Sequence, residues 1–347
     1  LQTKARNSKE QPLLSNDVRR QTEKFLAGLS DRTADLVEGM AAPFAEPVVR
    51  LGVTGLARAG KTVAITSIIQ NLLNQGGMPL FNVMGGGRLI AANLAEQPDL
   101  TMPRFAFEEH RDALLGHPPQ WPESTSSISQ FRLSLRYRSA GWLKRAVSGD
   151  SVLHIDIVDY PGEWILDLPL MDLDFQTWSA QVFAAAEVEP RKSLAKDWLE
   201  ATSQTDLSKP LDERDAQRLH QAFADYLRKC RHSKRIKLSM LQPGRFLMPG
   251  DLAGSPALTF APLPPKPGEK LPRGSLAAAM AKRFEDYKHL VVWRFFKEHF
   301  ARIDRQLVLV DLLGAAEGGA LAINELQDGM VSVLKAFKPG QNSWLSP

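Results

Sequence analysis

Cysteine is nearly absent from this chain of 347 residues, which contains only Cys230. A single cysteine cannot form a disulfide within the chain and is typical of a protein from a reducing compartment, so we expect a cytoplasmic location. Long hydrophobic runs are absent too, and no stretch of about 18 apolar residues predicts a membrane-spanning helix. The chain does not begin with methionine, and we expect a fragment or a processed form. These features argue against a disulfide-rich or membrane-spanning protein and favour a globular one.

The excess of positive charge is small, with a formal net charge of +4 and an isoelectric point of about 9.1. The densest basic run is "RKCRHSKRIK", residues 228–237. It is either a solvated helix end, where cations suit the helix dipole, or a contact for an acidic membrane surface or a protein partner. No aromatic residues alternate with these cations and no nucleic-acid motif occurs, so DNA and RNA are not predicted partners.

The stretch "GLARAGKT", residues 55–62, has the spacing of a phosphate-binding loop. It follows the apolar run "PVVRLGVTG" and opens the helical pattern "KTVAITSIIQNLLNQ", which is the context that such a loop requires. Its glycines let backbone N–H groups face phosphates, Lys61 supplies an ammonium for the β and γ phosphates, and the Thr62 hydroxyl suits Mg²⁺. The positions expected to bind the nucleotide are Gly55, Leu56, Ala57, Arg58, Ala59, Gly60, Lys61, Thr62 and Val63.

A second motif lies about a hundred residues downstream, in "IDIVDYPGEW". An apolar strand ends at Asp159, and Gly162 follows it in the pattern Asp-x-x-Gly. In nucleoside triphosphatases such an aspartate holds Mg²⁺ through water and the glycine N–H senses the γ-phosphate. Alone the motif is ordinary turn chemistry, since aspartate before Pro-Gly often begins a turn. Together with the phosphate-binding loop it predicts a nucleotide site.

The segment "WPESTSSI", residues 121–128, lies between the two motifs. A GTPase places its first switch there, with a threonine completing the shell of Mg²⁺. Thr125 is the predicted metal ligand, and Ser124 is the alternative. An equally good interpretation is a surface loop rich in serine and threonine.

Two charged residues in the motifs have open roles. Arg58 lies inside the phosphate-binding loop, where it either stabilises charge at the γ-phosphate in the manner of an arginine finger or points to the surface beside an acidic neighbour. The loop is similar to that of guanylate-binding proteins, in which an arginine at this place acts in the first way. Glu163 stands where many GTPases have a glutamine that orients water. A glutamate can orient or deprotonate water, but it also repels the γ-phosphate.

The pattern of apolar residues predicts an α/β protein with a P-loop core sheet flanked by helices. The strands "FRLSLRYR" and "SVLHIDIVD" are expected to form an antiparallel pair, and helical patterns dominate residues 163–304. The predicted organisation is an N-terminal helical segment (1–45), a nucleotide-binding domain (46–162 with 305–347), and a helical insertion (163–304) that contains a loop rich in proline and glycine (243–274).

These motifs together resemble the bacterial YcjX-like family of Ras-like P-loop proteins linked to stress responses. The similarity is carried by "GLARAGKT", "WPEST", "DYPGEW", "HFARIDRQLVLVDLL" and "NSWL". It implies a GTPase core with a large helical insertion, Mg²⁺ dependence and a cytosolic location. It also implies the same site residues, namely residues 55–62, Asp159 and Gly162, together with Thr125.

One expected motif is missing from the chain. A guanine-specific member should contain an Asn/Thr-Lys-x-Asp segment after a strand, and none occurs. The strand ending at Asp311 resembles the fourth core strand, so we expect the last core strands to be absent from this chain. The predicted function is therefore a Mg²⁺-dependent GTP phosphohydrolase, with GTP and GDP taken from the resemblance. The alternatives are a nucleotide-gated binding module with little turnover and an ATP-specific ATPase or kinase.

Overall fold

The computed structural model describes residues 46–55, 59–75, 78, 82–122, 125, 127–138, 150–233, 241–265, 268 and 271–336. The predicted N-terminal helical segment lies outside the described residues. So do four of the predicted site positions or their alternatives: Leu56, Ala57, Arg58 and Ser124.

The described chain is a mixed α/β structure in which helices flank one sheet. The strands are β1 (Val48–Gly55), β2 (Leu89–Ala95), β3 (Ser129–Arg138), β4 (Asp150–Asp159) and β5 (Arg305–Leu309). The α-helices are α1 (Lys61–Leu73), α2 (Asn82–Gly85), α3 (Phe107–Leu115), α4 (Phe175–Ala186), α5 (Arg191–Leu194), α6 (Lys196–Ser203), α7 (Glu213–Arg231), α8 (Leu276–Tyr287), α9 (Trp293–Glu298), α10 (Leu312–Glu317) and α11 (Gly319–Ala336). A long 3₁₀ helix (Gly162–Asp172) follows β4, and a π-helix (Lys288–Val292) joins α8 to α9.

The sheet has five strands in the order β2-β3-β4-β1-β5. Strand β3 is antiparallel to both β2 and β4, which confirms the predicted pairing of "FRLSLRYR" with "SVLHIDIVD". Strand β1 is parallel to both β4 and β5, and Val53 lies opposite Asp159. Because parallel strands end at the same edge of a sheet, the glycine loop after β1 and the Asp-x-x-Gly turn after β4 meet there.

One face of the sheet is covered by α1 and α3. The buried residues of this sheet cluster are Val53, Ile65, Ile69, Leu72, Phe105, Phe107, Phe131, Leu133, Leu135 and Ile157. Alternation along β4 places Leu153 and Ile155 against the same cluster, whereas Val158 belongs to the other core. Successive side chains of β4 thus point alternately to the two faces of the sheet, as expected for a strand.

A second and larger core, the helical cluster, begins at Val158 and includes most of the buried aromatic residues. Described residues between 163 and 304 form helices and no strand. Two described residues of the segment rich in proline and glycine belong to this core, since Phe246 and Phe260 are buried against aromatic residues of α7 and α8. Composition alone gave no sign of this packing, because the proline content masks the few large apolar residues.

Candidate nucleotide site

Helix α1 presents a free N-terminus at the edge of the sheet. Gly60 adopts a left-handed conformation (φ +76°) that turns the chain from the loop into the helix, and no side chain caps the first turn. The first N–H groups of a helix have no partner within it, and they favour anions. The start of α1 after β1 is thus chemically suited to an anion.

Lys61, the first residue of α1, points back across the sheet edge to the end of β4. Its Nζ lies 2.6 Å from Asp159 Oδ1 and donates a hydrogen bond of 2.6 Å to the carbonyl oxygen of Tyr160. Burial lowers the pKa of Lys61 and raises the pKa of Asp159, and the attraction between the two charges opposes both shifts without reversing either. Two buried opposite charges are held together here at a cost in solvation.

Asp159 is also the acceptor for Thr125, whose hydroxyl donates a hydrogen bond of 2.8 Å to Oδ2. The other oxygen, Oδ1, is buried and touches the Lys61 ammonium without accepting a hydrogen bond of normal geometry. Thr62 is buried next to Lys61 in the first turn of α1. Two hydroxyls and one carboxylate with spare acceptor capacity fit Mg²⁺, which usually binds one or two carboxylates and completes its shell with water and phosphate.

A larger acidic or histidine-rich metal centre is absent from the part of the chain that the structure describes, where no group of three or more His, Cys, Asp or Glu side chains converges. Zinc or calcium sites made only of protein ligands therefore have no counterpart among these residues.

Gly162 lies directly against the start of the phosphate-binding loop. A Cβ at this position would stand 1.8 Å from the carbonyl oxygen of Gly55. Such a distance is far below any allowed contact, so only glycine lets the turn after β4 reach the turn after β1 this closely. The two motifs are in backbone contact although they lie far apart in the sequence.

Glu163 is buried, and it does not face solvent at the mouth of the site. Its Oε1 lies 2.8 Å from Nη2 of Arg231, the last residue of α7, and the exposed fractions of the two side chains are 9% and 20%. Burial lowers the pKa of Lys61, and the nearby charge of Glu163 opposes that shift only after the larger effect of Asp159. Arg231 was not among the predicted site residues, because the basic run was interpreted only as a solvated helix end or as a contact for a membrane or protein partner.

The other cations in the described part of the basic run form ion pairs on the outside. Arg228 pairs with Asp225, one turn away at 2.5 Å, and Lys229 pairs with Asp197 of α6. Residues 234–237 lie outside the described residues. A lipid or protein contact through this run stays a prediction.

The structure brings together Lys61, Thr62, Thr125, Asp159 and Gly162, with Glu163 beside them. Gly55, Ala59, Gly60 and Val63 lie at the junction of β1 and α1. None of the described helices has the length and apolar character to cross a bilayer.

The family model for the YcjX-like family, DUF463, matches residues 49–347 of the chain. The chain is similar to "Ras-like GTPase YcjX" of Escherichia coli (strain K12), with 38% identity over 304 residues, or 85% of this chain and 64% of that protein. It is also similar to "Ras-like GTPase YcjX" of Shewanella oneidensis, with 34% identity over 314 residues, or 86% of this chain and 64% of that protein. The chain thus spans less than two thirds of the length of these curated relatives.

Proposed function

The chain belongs to the YcjX-like family, and we propose that it is a Mg²⁺-dependent GTPase built on a Ras-like P-loop core. The observation that carries this proposal is the meeting of the two motifs, in which Lys61 contacts Asp159 at 2.6 Å and Gly162 touches Gly55. The names of the relatives, "Ras-like GTPase YcjX", support guanine as the base.

In this proposal each site residue has a role that follows from its chemistry. The N–H groups at the start of α1 and the Lys61 ammonium bind the phosphates, which requires Lys61 to exchange its contact with Asp159 for phosphate oxygens. Thr62, Thr125 and Asp159 hold Mg²⁺, which when bound neutralises charge on the β and γ phosphates. The N–H of Gly162 meets the γ-phosphate. Arg58 assists hydrolysis as an arginine finger in cis, and Glu163 orients water; both roles belong to the proposal.

The proposed architecture assigns residues 46–162 and 305–347 to the nucleotide-binding domain and residues 163–304 to a helical insertion. We further propose a cytoplasmic protein with a role in stress. A switch, whose partner binding depends on the nucleotide, is the second candidate. It is favoured by the ion pair from Glu163 to α7, which ties the site to the helical part.

The test is calorimetric titration of the chain with GTP, GDP and ATP in the presence of Mg²⁺. We expect guanine nucleotides to bind more tightly than ATP, and we expect Lys61→Ala to abolish binding because the ammonium for the phosphates is lost. Lys282→Ala is the matched control, since Lys282 is exposed on α8 and pairs only with Asp286 among described contacts.

Two results would overturn the proposal. Unchanged affinity in Lys61→Ala would remove the assignment of the site, and ATP affinity equal to or above that of GTP would replace a GTPase by an ATP-using enzyme. Slow hydrolysis of GTP without a partner, combined with protection from proteases that depends on the nucleotide, would favour the switch over the turnover enzyme.

A further inference from the structure

Glu163 raises an electrostatic problem for a site that accepts a triphosphate. It follows Gly162, whose N–H is proposed to meet the γ-phosphate, and its carboxylate is buried. A γ-phosphate carries negative charge, so a bare carboxylate at this place would oppose its binding. A diphosphate adds no charge at the γ position and would be affected less.

The structure contains one solution to this problem. Arg231 places its guanidinium 2.8 Å from the Glu163 carboxylate, and both side chains are largely removed from water. Ion pairs in such surroundings are screened far less than ion pairs on the surface. Arg231 also lies at the C-terminal end of α7, where the helix dipole favours a cation.

The pair differs from the ion pairs around it. Arg228 and Lys229 bind Asp225 and Asp197 with side chains that are close to half exposed, and such contacts contribute little to stability. Arg231 instead turns inward from the same end of α7 and crosses to the residue after Gly162. It therefore links the helical part of the molecule to the γ-phosphate side of the site.

We propose that Arg231 is a positioning residue for the triphosphate, which neutralises Glu163 so that the site accepts a γ-phosphate. This inference rests on the proposed nucleotide function. It assigns to Arg231 a role in choosing between triphosphate and diphosphate, and it gives Glu163 a partner that removes its repulsion.

The role predicts a pattern of affinities that a structural role would not produce. In Arg231→Met the Glu163 carboxylate loses its ion-pair partner and keeps only the charge of Lys61 nearby, so affinity for a triphosphate falls while affinity for GDP changes little. In the double variant Arg231→Met/Glu163→Gln the repulsion is gone and the triphosphate affinity returns. In Glu163→Gln alone the guanidinium faces the site without its carboxylate, and the preference for triphosphate rises.

The experiment measures the affinities of GTPγS and GDP by calorimetry, with Mg²⁺, for the full chain and its variants. For Arg231→Met we expect a loss of at least about ten-fold in GTPγS affinity, as for the removal of one positive charge near the phosphate, and a change in GDP affinity below about three-fold. Arg228→Met is the matched control, because Arg228 lies one turn earlier and pairs within α7. Its ratio of GTPγS to GDP affinity should equal that of the wild type.

The outcomes separate the inference from the function on which it rests. If the wild type binds neither nucleotide, the proposed function fails. If the wild type binds both nucleotides and Arg231→Met weakens the binding of GTPγS and GDP equally, the proposed role of Arg231 is wrong. The role is also wrong if the double variant Arg231→Met/Glu163→Gln does not regain the GTPγS affinity. If Arg231→Met does not fold, Glu163→Gln decides the matter, since an unchanged ratio of GTPγS to GDP affinity in that variant also contradicts the proposal.

Discussion

Gly162 and Gly244 are the two glycines that decide how closely the loops around the site approach each other. A Cβ on Gly162 would stand 1.8 Å from the Gly55 carbonyl oxygen, and a Cβ on Gly244 would stand 1.9 Å from the Glu163 carbonyl oxygen. The backbone of residues 162–163 is thus held between two neighbours that allow no side chain. This close packing fixes the position of the N–H that is proposed to meet the γ-phosphate.

Gly162→Ala should therefore separate the two motifs. We expect a clear fall in the melting temperature and a loss of at least about ten-fold in nucleotide affinity, since the backbone must move to accept the methyl group and displaced groups bind poorly. Gly116→Ala is the control, because Gly116 has φ −62° and ψ 163°, which any residue adopts, and a Cβ 3.2 Å from the Asp112 carbonyl oxygen requires a shift of only a few tenths of an ångström. Normal stability and affinity in Gly162→Ala would contradict the contact.

Asp167 is a buried carboxyl that fastens the 3₁₀ helix after Gly162 to the rest of the helical cluster. It accepts hydrogen bonds from the N–H of Gly244 at 2.7 Å and from the hydroxyl of Tyr287 at 2.6 Å. Burial raises its pKa to about 6, although these donors favour the charged form and lower it. Because the folded-state pKa exceeds the unfolded value, ionisation of Asp167 costs stability as the pH rises from about 4 to about 6.

Tyr287→Phe should make that cost larger. Without the hydroxyl, the pKa of Asp167 rises further, so the destabilisation grows with pH, from about 1 kcal/mol at pH 5 toward about 2 kcal/mol at pH 8. Urea unfolding at the two pH values measures the difference. Tyr160→Phe is the control, because the Tyr160 hydroxyl accepts a hydrogen bond from the neutral amide of Gln306. The stability lost in this variant should be similar at both pH values. A pH-independent loss in Tyr287→Phe would show that Asp167 is not the acceptor that matters.

The strands β3 and β4 are joined across the sheet by an ion pair as well as by backbone hydrogen bonds. Arg132 and Asp156 lie opposite each other in the register, and their side chains form two contacts of 2.5 and 2.7 Å. The Asp156 side chain is fully buried. A two-pronged pair of this kind fixes the register of the strand that ends at Asp159, because a slip by one residue would bury an unpaired carboxylate.

Arg132→Met should destabilise the protein by about 3 kcal/mol, since it leaves a buried carboxylate without its partner. Adding Asp156→Asn should recover part of the loss, because the remaining group is neutral. Chemical denaturation of both variants gives the two values. Arg136→Met on the same strand, where the side chain is exposed, should change the free energy of unfolding by no more than about 0.5 kcal/mol. Equal losses of unfolding free energy in Arg132→Met and Arg136→Met would contradict a stabilising role for the Arg132–Asp156 pair.

At the scale of the molecule, the sheet cluster and the helical cluster share the segment that carries the Asp-x-x-Gly motif. Ile157 belongs to the sheet cluster, and Val158, Tyr160 and Trp164 belong to the helical cluster. The rings of Tyr160 and Trp164 both contact Phe295 of α9 edge to face, with centroids 5.5 Å apart. The helical part therefore packs onto the turn that carries the Asp-x-x-Gly motif, and loosening of one would loosen the other.

We expect the central strands and the helices α7 and α8 to unfold together. Native-state hydrogen exchange in low concentrations of urea should give the same free energy of opening for amides in β1, β4, α7 and α8, since the shared segment cannot leave one cluster alone. Helix α3 offers an internal comparison, because Phe107 is its one buried residue and local fraying there should give a lower value. Strand amides that stay protected after α7 and α8 have opened would indicate two separate folding units.

Local patterns in the sequence were sufficient for the two motifs and for part of the sheet. The loop after β1, the turn after β4 and the antiparallel pair β3–β4 depend on glycine positions and on a period of two, which neighbouring residues determine. The convergence of Lys61, Thr125 and Asp159 was predicted from the spacing of motifs. The partner of Glu163 was not, because an arginine at the end of a helix looks the same in the sequence whether it turns outward or inward.

The sequence by itself determined the strand and helix on either side of the glycine motif, the Asp-x-x-Gly turn and the α/β class of the fold, since each follows from short-range chemistry. Tertiary structure alone decided which groups meet across long stretches of chain. Tyr287 reaches Asp167 over 120 positions, Arg231 reaches Glu163 from the end of α7, and the backbone at Gly162 touches Gly55. The physical reason is that such contacts arise when separate elements pack on a common core, and packing depends on all the residues that fill that core at once.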